Sequence, residues 1–357
     1  MAAMASPSRM PYIASLAVLL LIWTVWYLEV PSIKSAIQNQ AGLNSNVAEQ
    51  PQGQDGVSEV DIITANTTVA VETVSNRPLI LYAYAESETA RENLQFFLRH
   101  GIHAAADFIF IMNGRTDAAK LVPVNEENIR VIRRPNDCYD IGAYAEVLTK
   151  NDLYKNYTRF ITLNASLRGP FLPYWSESCW SDMYLNRVTD QVKLVGMTAN
   201  CWPKFHIQSM IWATDRVGME VLLFPPKAAT AHLAPAVYFP DDDEIDESHI
   251  PPGINTCFHT WKQAVHAEIS ATALIKAAGY GVDAMMSRLH KTEDYEATCG
   301  GKENGDVLWD SKYEGTNVHP YETIFQKSNR DIDPVGLERL TDWTDGSKYS
   351  SYDFCKA

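Results

Sequence analysis

Between residues 78 and 286, short apolar runs alternate with segments of helical period, and this alternation restricts the chain more than any other feature. PLILYAYAE (78–86), ADFIFIMNG (106–114), IRVIRRP (129–135), YTRFITLNAS (157–166), QVKLVGMTAN (191–200) and HIQSMIWATD (206–215) read as strands, with a short last one in GVDAMM. Between the first two, SETARENLQFFLRHGI carries a stripe of Ala90, Leu94, Phe97 and Leu98, with Ser87 placed to cap it and Gly101 to stop it. DIGAYAEVLTKN, RVGMEVLLF and EISATALIKAAGY read as further helices. Strand–helix–strand alternation with short links predicts an α/β fold built on a mostly parallel sheet. Ligands of such open sheets sit at the carboxyl ends of the strands. Polar residues gather there: Glu86, Asn113, the stretch from Arg133 to Asp140, Asn164 to Arg168, and Asn200 to His206. Residues 225–262, with six prolines, break the pattern and read as a long loop near the site. The tail from 291 to 357 reads as irregular, ending in small elements.

The chain ahead of this domain has a different character. Tyr12 to Leu28 carries no charge, and a helix of that length spans roughly 26 Å, close to the hydrocarbon core. Trp23, Trp26 and Tyr27 cluster at its end as an interfacial belt would. Residues 1–30 therefore predict a cytosolic tip and an uncleaved transmembrane signal-anchor, with a cleaved signal peptide as the rival. Either way the remainder enters the secretory lumen. Residues 31–77 hold no aromatic residue and are rich in Gln, Asn, Ser, Val and Ala, which predicts a disordered stem before a lumenal domain at 78–357. Six cysteines suit an oxidising compartment and permit three disulfides in any of fifteen connectivities. No pair has the C-x-x-C spacing of a zinc knuckle. Sequons stand at Asn66, Asn156 and Asn164, of which Asn66 is the most credible acceptor. A net charge of −14 argues against nucleic acid as a partner.

Four clusters carry candidate chemistry. In RRPNDCYDIGAYAEVL (133–148), Arg133 and Arg134 close a strand and the next helix opens at once. Arginine forks and a helix N-terminus both favour phosphate, and Gly142 would permit close backbone approach. The alternative is that the arginines pair with Asp137 and Asp140. LNASLRGPFLPYW places Asn164, Ser166 and Arg168 past a strand, then a shelf of Phe171, Tyr174 and Trp175 suited to sugar rings, or else a polar turn with an apolar plug. CWPKFHIQSM offers His206 and Gln208 on one side of a strand, unless His206 is structural. HAEIS puts Glu268 at the expected start of a helix, where the dipole favours the ionised carboxylate of a general base, or simply an acidic first turn. The run DDDEIDE (241–247) reads as a solvated acidic loop rather than a metal site. No G-x-S-x-G, H-E-x-x-H or P-loop occurs.

The ordered set RRPNDCYDIGAYAEVL, FITLNASLRGPFLPYW, KLVGMTANC and FHIQSMIWAT resembles the rhamnan synthesis protein F family and its eukaryotic relatives, over roughly 130–215 with a looser echo elsewhere. The resemblance implies a glycosyltransferase-like domain with a Rossmann-like GT-A sheet and a nucleotide-sugar donor. Asp137, Asp140, Gly142 and Tyr144 match its helix-start motif. Asn164, Ser166, Gly169 and Pro170 match its strand-end motif, and His206, Gln208 and Ser209 the later strand. The Asp-x-Asp metal motif of GT-A enzymes is replaced here by Asn164-Ala165-Ser166, so no metal ligand is assigned and metal dependence stays open. The expectation is a Golgi glycosyltransferase acting on a glycan or glycoprotein, with Arg133 or Arg134 on the diphosphate and Glu268 or Asp140 as base. The alternative is a non-catalytic lumenal domain that binds a glycan or a partner.

Overall fold

The computed structural model describes residues 62–63, 74–231, 233, 250–291, 294–299 and 305–356. The expected membrane segment at 12–28, the Asn66 sequon and the acidic run at 241–247 lie outside the described residues. Among those described, no helix is long and apolar enough to cross a membrane.

Eight strands form the main sheet: β1 (Ile62–Ile63), β2 (Leu79–Ala85), β3 (Asp107–Asn113), β4 (Ile129–Arg134), β5 (Arg159–Asn164), β7 (Val192–Gly196), β10 (Ile211–Asp215) and β11 (Gly281–Ala284). Two small ladders flank it, β6 (Leu167–Arg168) with β12 (Gln326–Lys327), and β8 (Ala199–Asn200) with β9 (His206–Ile207). The main order is β1-β4-β3-β2-β5-β10-β7-β11. Strands β4, β3, β2 and β5 run parallel, as do β7 and β11, whereas β10 is antiparallel to both its neighbours. This mixed α/β arrangement fits the Rossmann-like reading, with the direction of β10 as a correction. The predicted strand at 206–215 is broken by a turn at Ser209–Met210. Its first half pairs with β8 as a hairpin, and only its second half returns through the sheet. Ile62–Ile63, within the expected stem, pairs with edge strand β4, whose open backbone groups accept any extended segment.

Among the described residues, the six longer α-helices are α1 (Glu88–His100), α2 (Tyr139–Thr149), α3 (Trp180–Leu185), α4 (Arg216–Leu223), α5 (Trp261–Ala277) and α6 (Pro334–Ser347). Ser87 caps α1 by accepting from the Ala90 N–H at 3.1 Å, and Gly101 ends it. Helices α1 and α3 meet through Phe97 and Trp180, with ring centroids 5.8 Å apart. Helix α5 touches both α2 and α4. Strand β2 is apolar and buried along nearly its whole length, as a strand covered on both faces must be. The chain builds outward through β2, β3 and β4, then crosses back to place β5 on the other side of β2. The carboxyl ends of β2 and β5 thus border the topological switch point.

Two predicted boundaries move. Helix α5 begins at Trp261, not near Glu268. Thr260 accepts from the Gln263 N–H at 3.2 Å while Gln263 reaches back to the His259 N–H at 2.8 Å, a reciprocal cap. The tail is more ordered than its composition suggests: β12 and the fourteen-residue α6 are both there, with Asp333 capping α6 and Pro334 at its first turn. Three disulfides, Cys138–Cys257, Cys179–Cys355 and Cys201–Cys299, close separations of 119, 176 and 98 residues and staple the late chain to the sheet.

Gly218, in the first turn of α4, packs directly on β7. A Cβ there would lie 2.2 Å from Thr214 Oγ1 and 2.5 Å from the Lys193 carbonyl oxygen. Helix propensity alone favours Gly218→Ala by about 1 kcal/mol. A backbone carbonyl cannot rotate away, so overpacking of up to about 3 kcal/mol should win. Urea unfolding followed by circular dichroism is expected to show a net loss of about 2 kcal/mol, and a gain would mean that α4 sits farther from the sheet.

Candidate functional site

The site begins where β5 ends. Asn164 is its last residue, and the chain turns at once. The Ser166 N–H and hydroxyl both donate to Asn164 Oδ1, at 3.1 and 2.6 Å. That arrangement fixes the amide, because its carbonyl faces two donors and its NH2 must face an acceptor. The acceptor is Asp140 Oδ2, in the first turn of α2. Asp140 Oδ1 takes the Ile141 N–H at 3.0 Å. Burial raises the Asp140 carboxyl above its ordinary range and the nearby Glu268 charge adds to this, against the two hydrogen bonds that lower it.

The second component comes from far along the chain. Strand β12 pairs with β6 so that Lys327 stands opposite Leu167. Its Nζ donates to Ser166 Oγ at 3.2 Å. Asn93 holds the same turn from α1, donating to the Ala165 carbonyl at 2.7 Å and to Ser328 Oγ at 2.6 Å. Burial pushes the Lys327 amine down to about 8, and Arg330 acts in the same direction. Glu268, Asp140 and Asp306 oppose it.

The third component is the β8–β9 hairpin with α5 behind it. Glu268 Oε1 accepts the Ser209 N–H at 2.5 Å. Gln208 accepts from Thr198 Oγ1 at 2.7 Å and donates to Asp306 at 3.2 Å. Asp306 also holds Arg330 at 2.6 Å. The His206 Nδ1 lies 2.8 Å from the Lys204 carbonyl, which makes Nδ1–H the donor and leaves Nε2 as acceptor in the neutral ring.

The three components meet at one cleft of about 890 Å³, which Asp140 and Ser166 support without lining it. Asn164, His206, Gln208, Glu268, Lys327 and Arg330 form its polar wall, and Trp202, Trp261 and Trp309 its aromatic one. Lys327 also lines a second hollow of about 470 Å³ between α1 and α6, on the far side of the β6–β12 ladder.

Several expected residues stand elsewhere. Arg134 is buried and bonded to Asp137 at 2.8 Å, Glu146 at 2.6 Å and Asn113 at 2.8 Å, so it serves the core rather than a phosphate. Arg133 donates to the Thr116 carbonyl at 3.2 Å, and neither arginine lines the cleft. Gly142 makes room for protein: a Cβ there would meet the Thr256 carbonyl oxygen at 2.8 Å, beside the Cys138–Cys257 disulfide. Tyr144 is buried in the core. Arg168 faces the second hollow, paired with Glu92 at 2.6 Å and Asn93 at 2.8 Å. The aromatic shelf is dispersed, with Phe171 fully buried against Phe96 and with Tyr174 and Trp175 exposed outside the cleft. Gly169 belongs to the same packing, since a Cβ there would run into Phe325 at 2.4 Å. Glu268 lies two turns inside α5, so the helix dipole, which fades within the first turn, does not act on it. Asp306, Trp309, Lys327 and Arg330 were not anticipated, because long-range contacts such as the β6–β12 ladder and the Cys201–Cys299 staple bring that segment to the sheet. The Thr260-x-x-Gln263 cap was the one readable signal that would have placed Trp261 and Glu268 correctly.

No family model matches the chain, and no curated protein does. Among solved structures, the glycosyltransferase GlyE of Streptococcus pneumoniae TIGR4 is similar over 39% of this chain and 34% of its own, at 7% identity and a TM-score of 0.28. This chain thus spans about a third of GlyE. An active-site mutant of LgtC is similar over 75% of this chain and 95% of its own, at 11% identity and a TM-score of 0.35. A cytidylyltransferase from Leptospira borgpetersenii is similar over 41% and 62%, at 11% and 0.25.

The depressed Lys327 amine has a measurable consequence. Its folded value of about 8 lies below the ordinary 10.5, so between those values the unfolded chain binds more protons and stability rises with pH. The upper limit of the penalty at neutral pH is about 3 kcal/mol. Lys327→Met is therefore expected to gain about 1–3 kcal/mol over the natural chain at pH 7. That gap should shrink by pH 10. Urea titrations at both pH values test this, and a gap independent of pH would contradict the assignment.

Proposed function

We propose that the chain is a membrane-anchored lumenal glycosyltransferase that moves a sugar from a nucleotide-sugar donor to a glycan or glycoprotein acceptor. One observation carries the reading: a carboxylate, fixed amides, a half-buried amine and tryptophans share one cleft beyond the end of β5. Glycosyl transfer needs a cation for the leaving diphosphate, hydrogen bonds for sugar hydroxyls and a base for the acceptor. The three disulfides support an oxidising compartment, in keeping with the apolar segment at 12–28. The motif resemblance to the rhamnan synthesis protein F family points the same way.

The geometry separates the two candidate carboxylates. Both oxygens of Asp140 are engaged, by Asn164 and by the Ile141 N–H, so Asp140 positions the amide. Glu268 spends one oxygen on the Ser209 N–H and lines the cleft, so it is the base. In the proposed step Glu268 takes the proton of an acceptor hydroxyl. That oxygen forms a bond to the anomeric carbon, and the bond from this carbon to the phosphate oxygen breaks. The nucleoside diphosphate leaves with the electron pair, its charge met by Lys327 and Arg330. Asn164, Gln208 and His206 orient sugar hydroxyls. A divalent ion is the alternative counter-charge. A second reading, a non-catalytic glycan-binding domain, draws on Asn164-Ala165-Ser166 standing where an Asp-x-Asp pair would hold that ion.

A thermal-shift screen of the full chain with UDP-, GDP- and dTDP-sugars, with and without manganese, tests the reading, because a ligand that binds only the folded state raises the melting point. At least one donor is expected to stabilise the protein and to be slowly hydrolysed. Glu268→Gln should lower turnover by about 10²–10⁴-fold with little change in donor affinity. Asp140→Asn should lower turnover less, by freeing the Asn164 amide. If no donor shifts the melting point in any condition, the transferase reading fails.

A further inference from the structure

Three tryptophans open onto the cleft, and the proposed donor chemistry uses none of them. Trp309 is 50% exposed and Trp261 59% exposed, while Trp202 is half-buried. Large aromatic faces left to solvent and gathered in one cleft mark a place where something docks. Trp309 is held in place by its neighbours. The Arg330 guanidinium lies 4.6 Å from its ring centre and covers one face. Arg330 is itself held by Asp306 at 2.6 Å and by the Leu308 carbonyl at 3.1 Å. The indole is thus positioned before any ligand arrives, which lowers the ordering cost of binding.

Trp202 reaches the same cleft from a neighbouring strand. Asn200 and Asp306 form a backbone bridge, and the Cys201 N–H donates to the Gly305 carbonyl at 2.7 Å. Trp202 follows two residues after Asn200, and Trp309 three after Asp306. The two rings therefore rise from paired backbone segments that the Cys201–Cys299 disulfide also ties down. The same cleft is lined by Gln208 and Asp306, groups that donate and accept hydrogen bonds. An acyl chain would need a continuous apolar lining, which this wall lacks. Flat aromatic faces beside amide and carboxylate groups match a sugar ring, with C–H faces to stack and hydroxyls to bond.

We infer that this end of the cleft is a subsite for an acceptor oligosaccharide of at least two rings, stacked on Trp309 and Trp202, so that the acceptor is recognised through its glycan and not through a polypeptide. This rests on the transferase reading above and narrows its acceptor class.

The test uses the full-length chain and two readouts. Calorimetry with lactose, N-acetyllactosamine, cellobiose, chitobiose and maltose, their monosaccharides, and Ser/Thr-containing peptides reads the subsite. The donor thermal shift reads the transferase proposal. At least one disaccharide should bind more tightly than its monosaccharides and than any peptide. Trp309→Ala and Trp202→Ala should each weaken that binding by roughly tenfold. Trp309→Tyr should recover most of it, and the donor shift should persist in Trp202→Ala, whose ring does not hold Arg330. Disaccharide binding unchanged in both alanine variants, tighter binding of a peptide, or no saccharide binding alongside a normal donor shift would overturn the subsite while leaving the transferase reading standing. Tryptophan-dependent disaccharide binding with no donor shift would sink the transferase reading and keep the glycan site.

Discussion

The hydrogen bond from the Asn164 amide to the Asp140 carboxylate joins the end of β5 to the first turn of α2, and the cleft is organised around it. On one side of the switch point the sheet ends in an amide, and on the other a helix begins with a half-buried acid. Burial drives the acid toward its neutral form, and the amide NH2 holds it toward the charged one. The amide in turn is locked by two donations from Ser166. Because Ser166 also accepts from Lys327, the arrangement extends from acid to amide to hydroxyl to amine. Such a chain is rigid only when every member is satisfied, which is why Asn93 reaches across from α1 to hold the same turn.

A sheet of this kind could hold the first half of that chain alone. The second half depends on late segments crossing the molecule. Cys138–Cys257 fastens the approach to α5 beside the start of α2, so the helices carrying Asp140 and Glu268 are tied where they meet. Cys201–Cys299 fastens the segment leading to Asp306 against the β8–β9 hairpin. Cross-links over 98 to 176 residues restrict the unfolded chain strongly, so a domain bearing them can keep a wet cleft and a half-buried lysine. A largely desolvated amine with one hydroxyl partner costs stability. Its place among Asp140, Glu268 and Asp306 offsets part of that cost, and an incoming phosphate would offset more.

Local patterns were legible. The apolar runs of β2, β3, β4, β5 and β7, the Ser87 cap and the Gly101 stop follow from period and turn chemistry alone, and the structure shows each of them. Asn164 was picked past a strand end, Glu268 at an expected helix start, and His206 and Gln208 on one side of a strand, and the fold brings those four into one cleft. The aromatic run after Gly169 misled because spacing does not tell an indole turned outward from a phenyl ring turned inward. Arg134 misled for a related reason: a strand-end arginine beside a helix start suits an anion equally well when the anion is Glu146 of the same helix.

The sequence by itself determined the periodicity of the strands and helices, the parallel trend of the sheet, and the rim on which polar groups would collect, because these follow from interactions within a few residues. The tertiary structure decided which cysteines pair, that β10 runs backwards, and that Trp202, Trp309, Lys327 and Arg330 complete the site. Those outcomes depend on contacts between residues far apart in the chain, 98 to 176 positions for the disulfides, for which one chain carries no local signal. Loop closure, disulfide geometry and the packing of β12 on β6 settle them only once the whole domain has assembled.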